Sequence, residues 1–222
     1  MTSSASYTGE VKVGGPPAVR EVPGLRITKL AVGPMENNAY FLRCANTGDT
    51  LLIDAAAEHD RLLETRDDGL LITIVTTHQH PDHWQALEAM VGITQPNVFA
   101  HPDDAGGLPV PVTETVDDGD VITFGDASVE VIHLRGHTPG SIALLYTGDP
   151  QRPHLFTGDS LFPGGPGNTR GNAADFTTLM DDLEAKVFGR LPDETWVYPG
   201  HGGDTTLGAE RPHLPEWRAR GW

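Results

Sequence analysis

Short apolar runs separated by turn residues dominate the chain from residue 25 onward. In the first half they predict strands at 25–30, 39–42, 50–54 and 71–77. In the second half they predict strands at 97–100, 121–124, 128–134, 141–146, 154–157 and 195–198. Helical spacing of apolar residues predicts helices at 58–66, 84–91 and 175–188. Strands clustered in both halves, with helices between them, favour an α/β sandwich of two sheets covered by helices.

The first 22 residues lack this pattern and are rich in Ser, Gly and Pro. We expect 1–22 to form a flexible or peripheral arm, either loose or with one peripheral strand at 10–13 as the alternative, and 23–222 to form a single domain. No apolar stretch reaches the roughly 18 residues that cross a membrane, and the start of the chain does not resemble a signal peptide. The single cysteine, Cys44, excludes an internal disulfide framework. Together these features predict a cytoplasmic protein.

The segment directly after the strand predicted at 71–77 carries the clearest chemistry. His78, His80, Asp82 and His83 fall within six positions. Imidazole and carboxylate are the nitrogen and oxygen donors that suit zinc, iron or manganese. The alternative is a polar surface turn, but this residue set beside a proline suits neither a core nor a helix interior. The segment therefore predicts a metal site.

Three further candidates follow predicted strands and have glycine neighbours, which permit tight turns. His137 lies in Gly136-His137-Thr138-Pro139-Gly140-Ser141, Asp159 in Phe156-Thr157-Gly158-Asp159-Ser160, and His201 in Tyr198-Pro199-Gly200-His201-Gly202. Each one alone is as readily a hydrogen-bonded loop residue. Together with the first cluster they predict one metal centre at a shared edge of the sandwich. The other histidines, His101 and His133 among them, are expected to be ordinary structural residues.

This ordered set of motifs resembles the metallo-β-lactamase fold superfamily of metal-dependent hydrolases, and its phrases look most like the glyoxalase II-like branch. Asp54, after the apolar run at 51–53, matches an early structural aspartate of the superfamily. The resemblance covers roughly residues 25 to 210. It implies an αββα sandwich of two mixed β-sheets flanked by helices.

The resemblance also implies how the ligands divide between two divalent ions. His78, His80 and His137 would hold the first ion, Asp82, His83 and His201 the second, and Asp159 would bridge them. Zinc is the expected metal, with iron and manganese as alternatives. The implied reaction is hydrolysis of a thioester or related ester by a metal-bridged hydroxide, with Asp82 as a proton acceptor.

The substrate is much less well defined by the sequence. Arg170 and Asn168 follow a Gly/Pro loop where the glyoxalase II-like group places a basic residue that binds glutathione, but the usual Gly-Cys-Gly phrase is absent. A mononuclear iron persulfide dioxygenase, using His78, His137 and Asp159, stays open as an alternative. A lactonase and a metal-binding domain without chemistry are further alternatives.

The net charge of the chain limits the classes of partner that it is expected to bind. Fifteen basic residues face 31 acidic ones, which gives a formal charge of −16. Such a chain repels nucleic-acid phosphates and anionic membranes on average. We therefore expect a small-molecule substrate, with no nucleic-acid or membrane partner, and leave a homodimer open.

Overall fold

The first half of the chain forms one mixed sheet. The computed structural model describes residues 7–66 and 69–221, and in these the sheet has seven strands in chain order. The first four strands pair antiparallel and the last four pair parallel. The strands are β1 (Ala18–Val22), β2 (Leu25–Val32), β3 (Asn37–Cys44), β4 (Thr50–Ile53), β5 (Leu71–Val75), β6 (Asn97–Ala100) and β7 (Glu114–Thr115).

The second half forms the facing sheet and a small hairpin. The sheet contains β8 (Val121–Phe124), β9 (Ala127–His133), β10 (Ile142–Tyr146), β11 (His154–Gly158), β14 (Trp196–Pro199) and β15 (Thr205–Thr206). Their order is β15-β14-β11-β10-β9-β8. The hairpin pairs β12 (Leu161–Phe162) with β13 (Gly165–Pro166). β11 and β14 pair parallel, whereas the other neighbours in this sheet pair antiparallel.

Helices connect these strands. They are α1 (His59–Thr65), α2 (Leu87–Thr94), α3 (Pro102–Ala105), α4 (Ala173–Asp182), α5 (Leu207–Glu210) and α6 (Leu214–Arg220). α4 continues as a π-helical segment, Leu183–Phe188, and single 3-10 turns lie at Pro81–His83 and Arg211–His213. None of the helices in the described residues is long and apolar enough to cross a membrane.

Period-two alternation along the strands builds the layers of the sandwich. Leu51 packs between the two sheets with Val131 and Leu144. The next residue, Leu52, faces the other way and packs with Leu62 of α1. The outer face of the second sheet packs against α4 and α6 through a separate apolar cluster. Successive strand residues point to opposite faces, so each sheet carries two apolar faces and needs a layer on both. The predicted αββα sandwich is confirmed.

The N-terminal prediction needs a correction. Residues 10–13 form no strand; the edge strand is β1, which pairs with β2 from Ala18 to Val22. Tyr7 packs against the core between the sheets. Residues 1–6 lie outside the described residues, and whether 1–22 and 23–222 behave as separate units stays a prediction.

The helix predicted at 84–91 begins later, at Leu87. The 3-10 turn at Pro81–His83 ends at Trp84, whose backbone leaves the helical region. The Trp84 indole N–H donates to the Gln79 carbonyl at 2.8 Å. This bond fixes the segment between the histidine loop and α2.

Candidate metal centre

The predicted ligands lie at one edge of the sandwich, where strands of both sheets end. His78 follows β5, Asp159 follows β11, and His201 follows β14. β11 and β14 run parallel, so their carboxyl ends reach the same edge. The two sheets are joined here, because the Ile142 N–H donates to the Thr77 carbonyl at 2.9 Å.

The first group of side chains consists of His78, His80 and His137, which are close enough to share one cation. His137 lies in the turn between β9 and β10. Its Nε2 is 2.9 Å from Nδ1 of His80. His78 is almost completely buried beneath them, with 1% of its surface exposed.

The second group consists of Asp82, His83 and His201. Oδ2 of Asp82 lies 3.5 Å from Nε2 of His83 and 3.4 Å from Nε2 of His201. The Asn37 amide donates to Asp82 Oδ2 at 2.8 Å. Asn37 starts β3 and was not identified from the sequence, although two consecutive asparagines directly before the apolar run at 39–42 were a usable signal.

Asp159 stands between the two groups. Its Oδ1 lies 3.4 Å from His83 Nε2, and its Oδ2 lies 3.6 Å from both His137 Nε2 and His201 Nε2. A Cβ on Gly200 would overlap Asp159 Oδ1. Glycine at position 200 therefore leaves room for the carboxylate that joins the groups.

Four of the five rings have their outer nitrogen fixed by an acceptor. Thr77 donates its hydroxyl hydrogen to Asp54, so it must accept from His78. Nδ1 of His78 donates to Thr77 Oγ1 at 3.0 Å, and Nδ1 of His83 donates to Asp54 Oδ2 at 2.8 Å. Nδ1 of His137 donates to the Asn168 carbonyl at 2.8 Å, and Nδ1 of His201 donates to the Met35 carbonyl at 2.9 Å. In the neutral form of each ring the Nε2 lone pair then points inward, as a metal ligand requires.

His80 is oriented differently from the other four rings. The Arg170 guanidinium donates to His80 Nε2 at 2.8 Å. Since arginine only donates, the proton of neutral His80 lies on Nδ1 and faces His137. A cation held by the first group would need the lone pair of His80 Nδ1. The ring proton would then lie on Nε2, so the hydrogen bond from Arg170 to Nε2 would be lost.

The two groups differ in proton affinity. Burial lowers the pKa of His78, His80 and His137 below the ordinary value. Burial also acts on His83, but Asp54 and Asp159 outweigh it and raise its pKa to about 10. The pKa of His201 is raised by Asp159 against the effect of burial.

The carboxyl groups of Asp159 and Asp82 are both held ionised. Burial alone would raise the pKa of Asp159, but the neighbouring His201 and His83 rings, 3.6 and 3.4 Å away, hold it well below its usual range. Burial is likewise outweighed at Asp82, where the Asn37 amide lowers the pKa. Both are therefore carboxylates at neutral pH, which is the form that binds a cation.

Unpartnered atoms test whether this set fits a metal. Nε2 of His78, Nε2 of His83 and Oδ1 of Asp159 are buried without a hydrogen-bond partner among the described residues. Buried polar atoms are nearly always satisfied, so three that face one another need an explanation. The donors are nitrogen and oxygen atoms, and their separations suit shared cations at about 2.0–2.2 Å from each ligand. The residues present fit divalent metal ions.

Another histidine cluster, His101, Asp117 and His133, does not fit a metal as well. The Asp103 N–H donates to His101 Nδ1 at 3.2 Å, so neutral His101 carries its proton on Nε2, 3.4 Å from Asp117. The rings of His101 and His133 stack with centroids 3.8 Å apart. A protonated Nε2 has no lone pair for a cation, which fits the ordinary role expected for these histidines.

A cleft of about 270 Å³ opens over the ligands, and Met35, Asn168 and Arg170 line it beside them. The Arg170 guanidinium contributes a positive charge to the lining of this cleft. Oδ1 of Asn168 accepts from the Arg170 backbone N–H at 2.6 Å. The structure thus places both predicted substrate residues at the site, while their contact with substrate stays a prediction.

Residues 32–201 match the family model of the metallo-beta-lactamase superfamily. The chain belongs to this superfamily. The match includes strands of both sheets and every predicted metal ligand.

Curated relatives within the superfamily include hydroxyacylglutathione hydrolases. The enzyme of that name from Polaromonas sp. is 37% identical over 74% of this chain and 62% of its own length. Hydroxyacylglutathione hydrolase GloC from Haemophilus influenzae is 30% identical over 74% of this chain and 85% of its own length. The chain therefore spans less than two thirds of the Polaromonas relative.

Solved superfamily structures give the same fold. ETHE1 from Myxococcus xanthus has a TM-score of 0.75 and 31% identity, covering 87% of this chain and 84% of its own. TTHA1623, solved in a di-iron-bound form, has a TM-score of 0.69 and 32% identity, covering 82% of this chain and 96% of its own.

Proposed function

We propose that this superfamily member is a metal-dependent hydrolase that cleaves a thioester or a related ester. The proposal rests on two complete ligand groups that meet at Asp159. The carboxylate oxygens of Asp159 lie within 3.6 Å of ring nitrogens of His83, His137 and His201. The hydroxyacylglutathione hydrolase names of the relatives support the thioester class.

The proposed ligand sets follow the two groups. His78, His80 and His137 hold the first ion, Asp82, His83 and His201 hold the second, and Asp159 is shared. Bound divalent ions would polarise an acyl carbonyl and make water more acidic. Zinc is the proposed metal, and the di-iron neighbour supports iron as an alternative to test.

The chain's own residues prepare this site. Asp54 accepts hydrogen bonds from the His83 ring and from the Thr77 backbone N–H, at 2.8 and 2.7 Å. It therefore fixes the second group directly and reaches His78 through the Thr77 hydroxyl. Asp82 is ionised and lies beside the cleft, where we propose that it is a ligand and accepts a proton. Its lowered pKa keeps it ionised at neutral pH, which is the form that both roles require.

Arg170 is the proposed contact for an anionic group of the substrate. The chain repels anions on average, so a single guanidinium beside the ligands would orient such a substrate locally. With a cation held by His80 Nδ1, the Arg170 contact with His80 Nε2 would be lost, and that guanidinium donor would be available to the substrate. Asn168 lines the same cleft, and its amide nitrogen is the atom that we propose for substrate.

The alternative is a mononuclear iron persulfide dioxygenase that uses His78, His137 and Asp159. The ETHE1 neighbour fits this alternative. It would, however, leave the second group without a metal, although Asp82, His83 and His201 are assembled just as closely as the first group.

Metal content tests the proposal first. Protein purified without a chelating column should contain two metal equivalents by elemental analysis, and should hydrolyse S-acyl thioesters such as S-lactoyl thiols. A panel of lactones and persulfides runs alongside. Sulfite formation with oxygen uptake from a persulfide would favour the dioxygenase. Absence of hydrolysis across thioesters, lactones and esters with both equivalents loaded would contradict the hydrolase.

A further inference from the structure

An ion pair lies buried close to His201 but outside the ligand groups. Nζ of Lys29, on β2, is 2.6 Å from Oδ1 of Asp204. The two side chains are 0% and 1% exposed. Burying two charges costs much of the energy that their attraction returns, so such a pair contributes little stability by itself. The pair does, however, fix the position of the segments that form hydrogen bonds with it.

All three N–H donors of Lys29 are used, and both carboxylate oxygens of Asp204 accept hydrogen bonds. Lys29 Nζ also donates to the Gly9 and Gly202 carbonyls, both at 2.7 Å. Oδ2 of Asp204 accepts from the Tyr7 hydroxyl at 2.9 Å and from the Trp196 indole at 2.8 Å. Residues 7–9, which we call the N-terminal cap, therefore complete the burial of the pair.

The pair reaches the second metal group through the backbone. The Gly202 carbonyl, one residue after His201, accepts from Lys29 and from the Asn38 amide at 3.0 Å. The Gly200 carbonyl, one residue before, accepts from the Asn38 N–H at 2.7 Å. The backbone is thus fixed on both sides of His201.

The first group is held by other residues. Asp104, on α3, accepts from the Gln79 N–H at 3.0 Å and from the Gly140 N–H at 2.9 Å. These bonds anchor the loops of His80 and His137. The N-terminal cap should therefore affect one group and not the other.

We propose that the N-terminal cap and the Lys29–Asp204 pair position His201 for the second metal ion. Lys29 and Asp204 are positioning residues, since neither is a ligand. The proposal rests on the ligand assignment of the proposed function and does not depend on the substrate. It makes the start of the chain, expected from the sequence to be a loose arm, part of the active-site support.

Two glycines of the same arm give a matched pair of variants. Gly9 and Gly14 both have a φ of 75°. An added Cβ would overlap the Asp204 carboxylate at Gly9, whereas at Gly14 it meets no atom within 4 Å. Gly9→Ala and Gly14→Ala therefore carry a similar left-handed backbone cost, and only Gly9→Ala displaces the cap from Asp204.

The measurement is the affinity of each of two equivalents of Zn(II), and separately of Co(II), added to the metal-free full chain. Chelator competition gives the affinities, and the cobalt absorption spectrum reports the ligand geometry of each equivalent and hence the group that holds it. The first and second equivalents are here the ions held by the first and second ligand groups, whichever binds more tightly. Gly9→Ala should weaken the second equivalent by about tenfold or more and alter its cobalt spectrum, with the first unchanged. Gly14→Ala should bind both equivalents as the unmodified chain does.

A milder variant and a stability control complete the test. Tyr7→Phe removes one hydrogen bond to Asp204 and should weaken the second equivalent less than Gly9→Ala does. Val187→Ala, in the outer helix layer, should lower the melting temperature without changing either equivalent.

Three results would overturn the proposal. They are an unchanged second equivalent in both Gly9→Ala and Tyr7→Phe, equal weakening of both equivalents, and binding of only one equivalent by the unmodified chain. Two bound equivalents without thioester hydrolysis would instead contradict the proposed function and leave this inference standing.

Discussion

The first ligand group, His78, His80 and His137, contains no carboxylate, whereas the second contains Asp82 and has Asp54 behind His83. Burial dominates at the first group and lowers the pKa of all three rings. Neighbouring carboxylates dominate at the second and raise the pKa of His83 to about 10. The same imidazole ligand is therefore held neutral in one group and attracts a proton in the other.

The supports of the two groups also differ. Asp104 on α3 joins the two loops of the first group by single hydrogen bonds to backbone and to Thr138. The second group relies on Asn37 and on the buried Lys29–Asp204 pair, whereas Asp54 contacts His83 directly and His78 through Thr77. Because Asp104 on one side and Asn37 and the Lys29–Asp204 pair on the other are separate supports, the two metal affinities should respond to different substitutions and to pH in different ways.

The largest expected effect comes from the residue common to both groups. Asp159→Ala removes the shared carboxylate, so metal occupancy should fall at both groups and turnover should drop by about a thousandfold or more. Elemental analysis and a thioester assay measure the two. A variant that stays fully metallated and active would show that Asp159 does not bridge the groups.

Asp104→Ala should separate the groups. It removes the acceptor that holds the loops of His80 and His137, so the first equivalent should bind about 10- to 100-fold more weakly. The second equivalent should be nearly unchanged. Asp103→Ala is the matched control, because Asp103 is on the same helix and its side chain is 59% exposed. Equal losses at both equivalents would mean that the supports are not separate.

Acidification should act on the second group first. A proton on His83 or His201 must leave before a cation binds, and both rings have a raised pKa. Lowering the pH from about 8 to 6 should therefore weaken the second equivalent by about tenfold per unit for each proton displaced. His78, His80 and His137 have lowered pKa values and are already neutral, so the first equivalent should change little. Metal titrations at three pH values test this order, and a first equivalent that is lost earlier would reverse the comparison.

Arg170→Gln should give the smallest effect. It removes the donor that holds the His80 proton on Nδ1, so the first equivalent should bind about three- to fivefold more tightly. Loss of the cation should at the same time raise KM for a thioester with an anionic group, with kcat nearly unchanged. An uncharged ester is the internal control. If KM rose equally for the anionic and the uncharged ester, Arg170 would not recognise the negative charge of the substrate.

Local pattern was sufficient for most of the elements. The strands at 97–100 and 121–124 were predicted with the bounds that the structure shows. Their apolar residues alternate or follow one another in short runs, which is a property of the sequence alone. The helix after the histidine loop was placed too early because the turn at Pro81–His83 and the Trp84–Gln79 bond interrupt it.

The supports of the site were harder to find. Asn37 reaches Asp82 across 45 positions, and Lys29 reaches Asp204 across 175. A hydrogen bond between distant positions leaves no periodic trace along the chain. Asp104 did leave a weak local signal, since it follows the strand at 97–100 in the polar segment His101-Pro102-Asp103-Asp104.

The sequence by itself determined the layers of the sandwich and the candidate ligands, because side-chain type and spacing decide both. Only the tertiary structure decided which atoms meet, which ring nitrogen is free and which carboxylate raises a pKa. Those properties depend on distances of a few ångströms between residues far apart in the chain. The arm at the start of the chain shows the difference best: its composition indicates a loose segment, and its position beside Lys29 and Asp204 makes it part of the support of His201.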